Sequence, residues 1–196
     1  MELRGKLINV SRPYYQVQET HAIACVSFVI ADAKGKSHFF SINCKDFIRT
    51  IMISALDDEM LLELNYNKEC ALHKDYYSIR KIVNLTLGFE KLERVEAGCV
   101  SGKLIRVSRA FCLVESTCCG VDSFQHYSHE IISRALLVLR VKGKLIIAET
   151  DNMSVIQFLQ MSRTEDLLSV KFSSSQEIAY IRNKNLGITY ETNKKN

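Results

Sequence analysis

The sequence predicts an all-β protein with short helices, arranged as two tandem five-stranded Greek-key barrels related by internal duplication. Three observations predict it. Gly5-Lys6-Leu7-Ile8-Asn9-Val10-Ser11-Arg12 returns as Gly102-Lys103-Leu104-Ile105-Arg106-Val107-Ser108-Arg109, seven of eight residues alike at an offset of 97 in a chain of 196. Later segments echo in the same order: Lys34-Gly35-Lys36 with Lys142-Gly143-Lys144 at 108, Asp58 to Leu62 with Thr164 to Leu168 at 106, and Ile79-Arg80 with Ile181-Arg182 at 102. Strand-like runs dominate both halves, with one helix-like run in each. The offset changes only between structured segments, where solvated loops tolerate insertions. The repeating unit is therefore a whole domain and not a solenoid repeat of roughly 20–50 residues.

In the first copy, Leu3 to Ser11 is a strand-like run rooted at Gly5 and interrupted by Arg12-Pro13-Tyr14-Tyr15. Cys25 to Asp32 and Ser37 to Cys44 flank Ala33-Lys34-Gly35-Lys36, a hairpin signal. Asp46 to Leu56 carries apolar residues at 47, 48, 51, 52 and 55, a helical spacing with Asp46 as the expected cap. Leu61 to Tyr66 and Ser78 to Leu87 complete the copy as strands. The second copy repeats the order with Val100–Ser108, Ala135–Val141, Lys144–Thr150, a helix over Met153 to Met161, Leu167–Phe172 and Glu177–Asn183.

Five strands with one helix between the third and fourth match the OB-fold, whose first strand is typically long and bent. The expected organisation is a first barrel over 1–87, a connector over 88–98, a second barrel over 99–190 and a polar tail over 191–196. Within the connector, Phe89 to Val95 has the spacing of a short helix. Aligning Ala24 with Ala135 raises the offset to 111, which assigns the second copy 14 extra residues in its first loop. Its loop between strands 4 and 5 is then shorter by four.

Strand alternation sorts the faces. Val26, Phe28 and Ile30, aligned with Leu137, Leu139 and Val141, are expected in the core; so are Ile8 and Val10 with Ile105 and Val107. Leu62, Leu64 and Tyr66 align with Leu168, Val170 and Phe172 as further core positions. Asn9, Arg106, Arg140, Asn65 and Lys171 are expected to face outward. In strand 3 the adjacent Phe39 and Phe40 leave the register open.

Composition bounds the class. Hydrophobic residues at 47% and charged residues at 24% describe an ordinary globular chain. No apolar run reaches the roughly 18 residues needed to cross a bilayer, and the first residues lack a signal-peptide core. A cytoplasmic protein is expected, or a nuclear one in a eukaryote. The seven cysteines show no CxxC spacing and read as free thiols, with Cys25, Cys44 and Cys112 expected to be buried. The net charge of +4 is uneven: residues 1–97 hold 13 basic and 13 acidic residues, and 98–196 hold 13 and 9. A polyanion bound by charge would engage the second half more.

With this strand order and duplication, the chain resembles tandem OB-fold proteins of the single-stranded nucleic-acid-binding type, such as replication protein A subunits and bacterial single-strand-binding relatives. The resemblance covers Leu3 to Leu87 and Val100 to Ile188. It implies a basic groove that tracks phosphates, with aromatic rings stacked on bases at roughly 1–3 kcal/mol each. The matching positions are Arg12, Tyr14 and Tyr15 in the first loop of copy 1, Arg109 and Phe111 at the corresponding place in copy 2, and Phe39. Arg106, Arg140 and Lys171 share the outward face of copy 2, with Lys142 and Lys144 at its hairpin. Two features oppose this. Loop rings such as Tyr14, Tyr15 and Phe111 also serve to plug barrel ends, and Glu149 and Asp151 weaken a phosphate track. The implied function is non-catalytic binding of single-stranded nucleic acid, DNA favoured, in replication, repair or transfer. The alternative is a protein-docking scaffold, or a subunit of a larger complex with little nucleic-acid affinity.

No catalytic motif or cofactor is expected. Gly35-Lys36-Ser37 ends like a phosphate loop, but Ile30 stands where the leading glycine belongs and the segment joins two strands. The extra length of copy 2, roughly Cys118 to Glu130, reads as a mobile loop that contacts nucleic acid or a protein partner. Cys118, Cys119, His126 and His129 in it have zinc-ligand chemistry but unfavourable spacing.

Overall fold

The computed structural model of the chain describes residues 1–18, 21–66, 77–92, 95–119, 126–175 and 177–191; at 17, 18, 21, 22, 66, 77, 115–119 and 126–129 it describes the backbone alone. Two units divide between Lys91 and Leu92. Unit 1 runs β1 (Glu2–Val10), β2 (Tyr14–Gln18), β3 (His21–Asp32), β4 (Ser37–Ile42), α1 (Lys45–Ile53), β5 (Glu59–Tyr66) and β6 (Tyr77–Asn84). Unit 2 runs β7 (Gly98–Val107), β8 (Phe111–Cys119), β9 (His126–Val141), β10 (Lys144–Thr150), α2 (Met153–Met161), β11 (Leu167–Phe172), β12 (Ile178–Asn183) and β13 (Ile188–Glu191).

Every ladder is antiparallel. In unit 1 the strands lie in the order β4-β3-β1-β5-β6, and in unit 2 in the order β10-β9-β7-β11-β12-β13. The helix falls between the third and fourth core strands of each unit, as the sequence predicts. The expected barrel closure is not present. Among the described residues no ladder joins β4 to β6 or β10 to β12, so each sheet is open.

Each copy opens with one strand broken into two arms. β1 and β2 both ladder to β3, and β7 and β8 both ladder to β9. At the break, Pro13 has no N–H to give to a ladder. Ser11 bridges the gap: its N–H donates to the Ser27 carbonyl (2.8 Å), and its Oγ accepts from the Ser27 N–H (3.0 Å). Ser108 does the same with Leu136, at 2.8 and 2.9 Å. This explains why serine holds the seventh position in both copies of the repeated octapeptide. Its glycine has a steric reason. A Cβ on Gly5 would stand 2.3 Å from the Ala31 carbonyl oxygen, and one on Gly102 would stand 2.6 Å from that of Arg140.

The ladders correct the alignment. Leu7 pairs Ile30 while Leu104 pairs Leu139, so β3 and β9 correspond at an offset of 109 and not 111. The second copy therefore gains 12 residues between these strands. Gly5 pairs Met60 and Gly102 pairs Leu168, which sets β5 and β11 at 108. Both slips are of two residues, so the assigned faces survive them. Met60 pairs Asn84 and Leu168 pairs Asn183, which sets β6 and β12 at 99. The intervening loop of copy 2 is thus shorter by nine, not four. A bulge between Leu7 and Asn9, repeated between Leu104 and Arg106, removes Ile8 and Ile105 from the paired positions. Ile8 is 42% exposed, and the core positions of the opening strands are Leu7 and Leu104.

The described residues of the predicted loop near Cys118 to Glu130 are strand. β8 and β9 form a hairpin pairing Phe111 with Arg134 through Cys119 with His126. Eight of the 12 extra residues lengthen the two arms of a hairpin that unit 1 makes with β2 and β3, four in β8 and four in β9; the others fall in 120–125, outside the described residues. Other expectations also shift. The N-cap of α1 is Cys44, which makes no side-chain cap, while Asp46 sits in the first turn bonded to Arg49 (3.0 Å). Cys44 is exposed and Cys112 half-buried; only Cys25 of the three is buried. The connector helix is absent among the described residues: Phe89 bridges Asn84 instead.

A buried polar knot recurs in both units. In unit 1 the Asn84 amide donates to Asp58 Oδ2 (2.7 Å) and Ser54 Oγ (2.7 Å), and its carbonyl accepts from the Leu87 N–H (2.9 Å). In unit 2 Asn183 donates to Asp166 Oδ2 (2.7 Å) and Ser162 Oγ (3.1 Å), and accepts from the Asn185 and Leu186 N–H groups (3.0 Å each). The serine hydroxyls return to the helix carbonyls of Thr50 and Phe158. The aspartate carboxylates also accept the N–H groups of Ala55 and Arg163. Their backbone carbonyls take the N–H groups of Leu7 and Leu104. One knot thus ties the helix end, the opening strand and the last core strand of its unit.

The Arg163 N–H, and after it the Asn183 amide, hold the Asp166 carboxyl below the ordinary aspartate range. A carboxylate so lowered contributes stability that is present above the unfolded-state value of about 3.9 and lost as pH falls through the folded-state value. Asn183→Ala is expected to lower unfolding free energy by about 2–3 kcal/mol, because it strands a buried carboxylate and two N–H groups. In urea titrations it should also narrow the stability difference between about pH 5 and about pH 2.

Candidate nucleic-acid interface

The side of the unit 2 sheet turned from the core follows from its ladders, because opposed residues share a face. Leu137, Leu139, Leu168, Val170 and Ile181 fill the core. The other face therefore carries Lys103 opposite Arg140, Arg106 opposite Val138, Lys171 opposite both Cys99 and Tyr180, and Arg182 opposite Ser169. A 2.7 Å hydrogen bond between Ser101 and Ser169 lies on the same face. Lys103, Arg140, Lys171 and Arg182 are exposed and Arg106 is half-buried. Where these strands run side by side, the described acids of the face are Glu149 and Glu191; Glu165 in the preceding turn bonds Lys103 at 3.0 Å.

Unit 1 presents the corresponding face without charge excess. Arg4, Lys6 and Lys81 stand among Glu2, Glu59 and Glu63, and Arg4 bonds Glu59 at 2.7 Å. Its distinctive feature is Phe39, 70% exposed and opposite Val29, which in turn opposes Asn9. Phe40 settles the strand 3 register: it stacks on the buried Phe28, with ring centroids 5.4 Å apart.

The sequence-chosen residues separate into groups. Arg12 and Arg109 are exposed at the two strand breaks. Arg106 and Arg109 meet along one cleft of about 480 Å³ that includes Ser108, Gln160 and Thr164. The cleft lies at the carbonyl end of α2, where positive charge is favoured. Lys142 and Lys144 are exposed on the β9–β10 hairpin, where Lys142 and Gly143 take positive φ of 48° and 83° in a two-residue turn. Tyr15 is 39% exposed. Tyr14 is tied down, its hydroxyl between Ser27 Oγ (3.1 Å) and Ser41 Oγ (2.9 Å).

Phe111 is not a stacking ring. It is only 2% exposed, because the partners of its counterpart Tyr14 have changed: Leu136, fully buried, replaces Ser27, and Glu149 replaces Ser41. Sequence reading missed Arg134, the counterpart of Cys25, whose guanidinium lies 3.6 Å from Glu149 and 3.7 Å from Asp151. The ladder alignment at offset 109 reveals it. The side chains of Cys118, Cys119, His126 and His129 lie outside the described residues, so the zinc expectation is not addressed. Among the described residues no cluster of histidine, cysteine or carboxylate side chains forms a metal-binding group, and no helix is long and apolar enough to cross a membrane.

Comparison with known proteins adds little. No family model matches the sequence, and no curated protein matches it. A solved chain from a replication protein A heterotrimer bound to single-stranded DNA aligns over 87% of this chain, with 12% identity and a TM-score of 0.33. The chain spans 43% of that neighbour's length. At this identity and TM-score the likeness assigns neither family nor function.

Burial separates the two phenylalanines. Phe111→Ala is expected to lower stability by about 3–5 kcal/mol. Phe39→Ala should stay within about 0.5 kcal/mol of the parent. Denaturant titration of both variants distinguishes a core ring from a surface ring.

Proposed function

We propose that the chain binds single-stranded nucleic acid without catalysis and with little sequence preference. The observation that carries this reading is the unit 2 face on which Lys103, Arg106, Arg140, Lys171 and Arg182 lie across adjacent strands. Cations set directly across a ladder, as Lys103 and Arg140 are, repel each other and cost stability. A phosphate backbone along the face would relieve that repulsion. The strand spacing of about 4.8 Å gives the cations a pitch that a flexible single strand can follow. Phe39 supplies an exposed ring on unit 1 for a base to stack on.

The test is a titration of the full chain with labelled single-stranded oligonucleotides at several salt concentrations. With three to five phosphates neutralised, the logarithm of affinity should fall with the logarithm of salt at a slope of about −2 to −3.5. Arg140→Glu combined with Lys171→Glu should weaken binding at least tenfold with the fold kept, since it removes two contacts and reverses their charge. Phe39→Ala should cost about 1–3 kcal/mol in affinity, with much less change in the slope. Absence of binding at low salt would reject the proposal.

A further inference from the structure

On the outer face of unit 2, Ser169 stands between Ser101 on β7 and Arg182 on β12. The two serine hydroxyls bond each other at 2.7 Å. Lys103 and Lys171 lie two residues from the pair on β7 and β11, about 7 Å along each strand. The strands are antiparallel, so the two lysines flank the pair from opposite ends. Lys103 is bonded to Glu165 at 3.0 Å, whereas among the described residues Lys171 and Arg182 make no ion pair. Glu191, opposite Tyr180, is the acid of the neighbouring row. Ser169 is 9% exposed although its ladder turns it outward. The short hydroxyls form a floor, and the longer cations stand around it on three sides.

The duplicated frame does not require this arrangement. The corresponding row of unit 1 is Arg4, Leu61 and Val83, and Glu63 holds the place of Lys171. Unit 2 thus has a hydroxyl at each of two positions where unit 1 has a bulky side chain. It has a cation at each of two others where unit 1 has an apolar or an acidic one.

We propose that this cluster is a phosphate-binding site, with the serine pair as its floor and Lys103, Lys171 and Arg182 as its walls. The proposal rests on the nucleic-acid reading of the same face and deepens it, because it fixes where one phosphate of a bound strand sits. Two hydroxyls carry two protons, and the bond between them uses one. The other proton is left to donate to an oxygen above the pair. That donation is charge-assisted, and the serine–serine bond behind it polarises the donor further. The Arg182 guanidinium offers a planar fork to phosphate oxygens, and the lysines act as point charges from either end.

The experiment follows amide chemical shifts of the isotope-labelled full chain. Inorganic phosphate, added against sodium chloride at matched ionic strength, should give saturating shifts at Ser101, Ser169 and Arg182 and none at Arg4, Leu61 and Val83. Ser101→Ala combined with Ser169→Ala should abolish these shifts. It should also weaken single-stranded oligonucleotide binding about tenfold, the loss of one hydrogen bond to a charged group. The salt slope should be kept, because no cation is removed. Ser101→Thr combined with Ser169→Thr keeps both hydroxyls and should bind as the parent does. If the alanine variant melts at a lower temperature, Arg182→Gln decides: it leaves the serine pair in place and should weaken the phosphate shifts, and unchanged shifts would overturn the proposal. Phosphate shifts no larger than those from chloride would overturn it too. Unchanged oligonucleotide affinity in the alanine variant would overturn the site and leave the nucleic-acid reading standing. Saturating phosphate shifts in a chain that binds no oligonucleotide would uphold the site for a free phosphate compound and reject the nucleic-acid reading.

Discussion

The buried serine–aspartate–asparagine knot is the interaction on which both units depend. An open sheet lacks the closing ladder that would otherwise fix its last strand. The knot supplies that restraint by other means. Asn84 and Asn183 are fully buried and sit on the last core strands. Through Asp58 and Asp166 they reach the turns that hold the opening strands at Leu7 and Leu104. Those turns are tight: Asp57 and Glu165 take positive φ of 69° and 73°. Each N–H there is bonded to the opening strand, at 2.8 Å to Leu7 and 2.7 Å to Leu104. Buried polar groups of this kind are costly unless all are satisfied. Their recurrence in both copies, with the same partners, makes them part of the duplicated unit and not an accident of one half.

Around this shared frame the units diverge on their outer faces. Unit 1 keeps a charge-balanced face with a fixed Tyr14 hydroxyl and an exposed Phe39. Unit 2 replaces Ser27 with a buried Leu136, sinks Phe111 into the interior and gathers cations over β7, β9, β11 and β12. Eight of the 12 additional residues went into longer β8 and β9 arms, leaving the knot and the strand break untouched. Divergence thus follows physical tolerance: solvated faces and hairpin tips vary, while bonded turns and close backbone crossings do not.

Much of this was legible in the sequence because strands have a period of two. The first octapeptide fixed the duplication, Met153 to Met161 was read correctly as a helix, and most inward positions were placed. Two alignment errors were harmless for the same reason, since a slip of two residues returns a side chain to its own face. A bulge breaks that period, so Ile8 was misassigned. The extended hairpin is hidden in the sequence because Glu115 to Cys119 and His126 to Glu130 resemble loop composition while their backbones pair across the arms. The knot was missed although its signal was present: Asn84-Leu85-Thr86-Leu87-Gly88 recurs as Asn183-Lys184-Asn185-Leu186-Gly187. Gly88 and Gly187 take φ of 63° and 70°, so only the asparagine, leucine and glycine positions were bound to repeat. The open β10–β12 seam was not legible, because closure depends on pairings distant in sequence.

The central claim is that the basic face of unit 2 is where single-stranded nucleic acid binds, and amide chemical-shift mapping tests it most directly. On addition of a single-stranded oligonucleotide, the largest shifts should fall on Lys103, Arg106, Arg140, Lys171 and Arg182, and those around Asp151 and Glu177 should be small. Shifts concentrated around Asp151 and Glu177, with those five residues unmoved, would contradict the account.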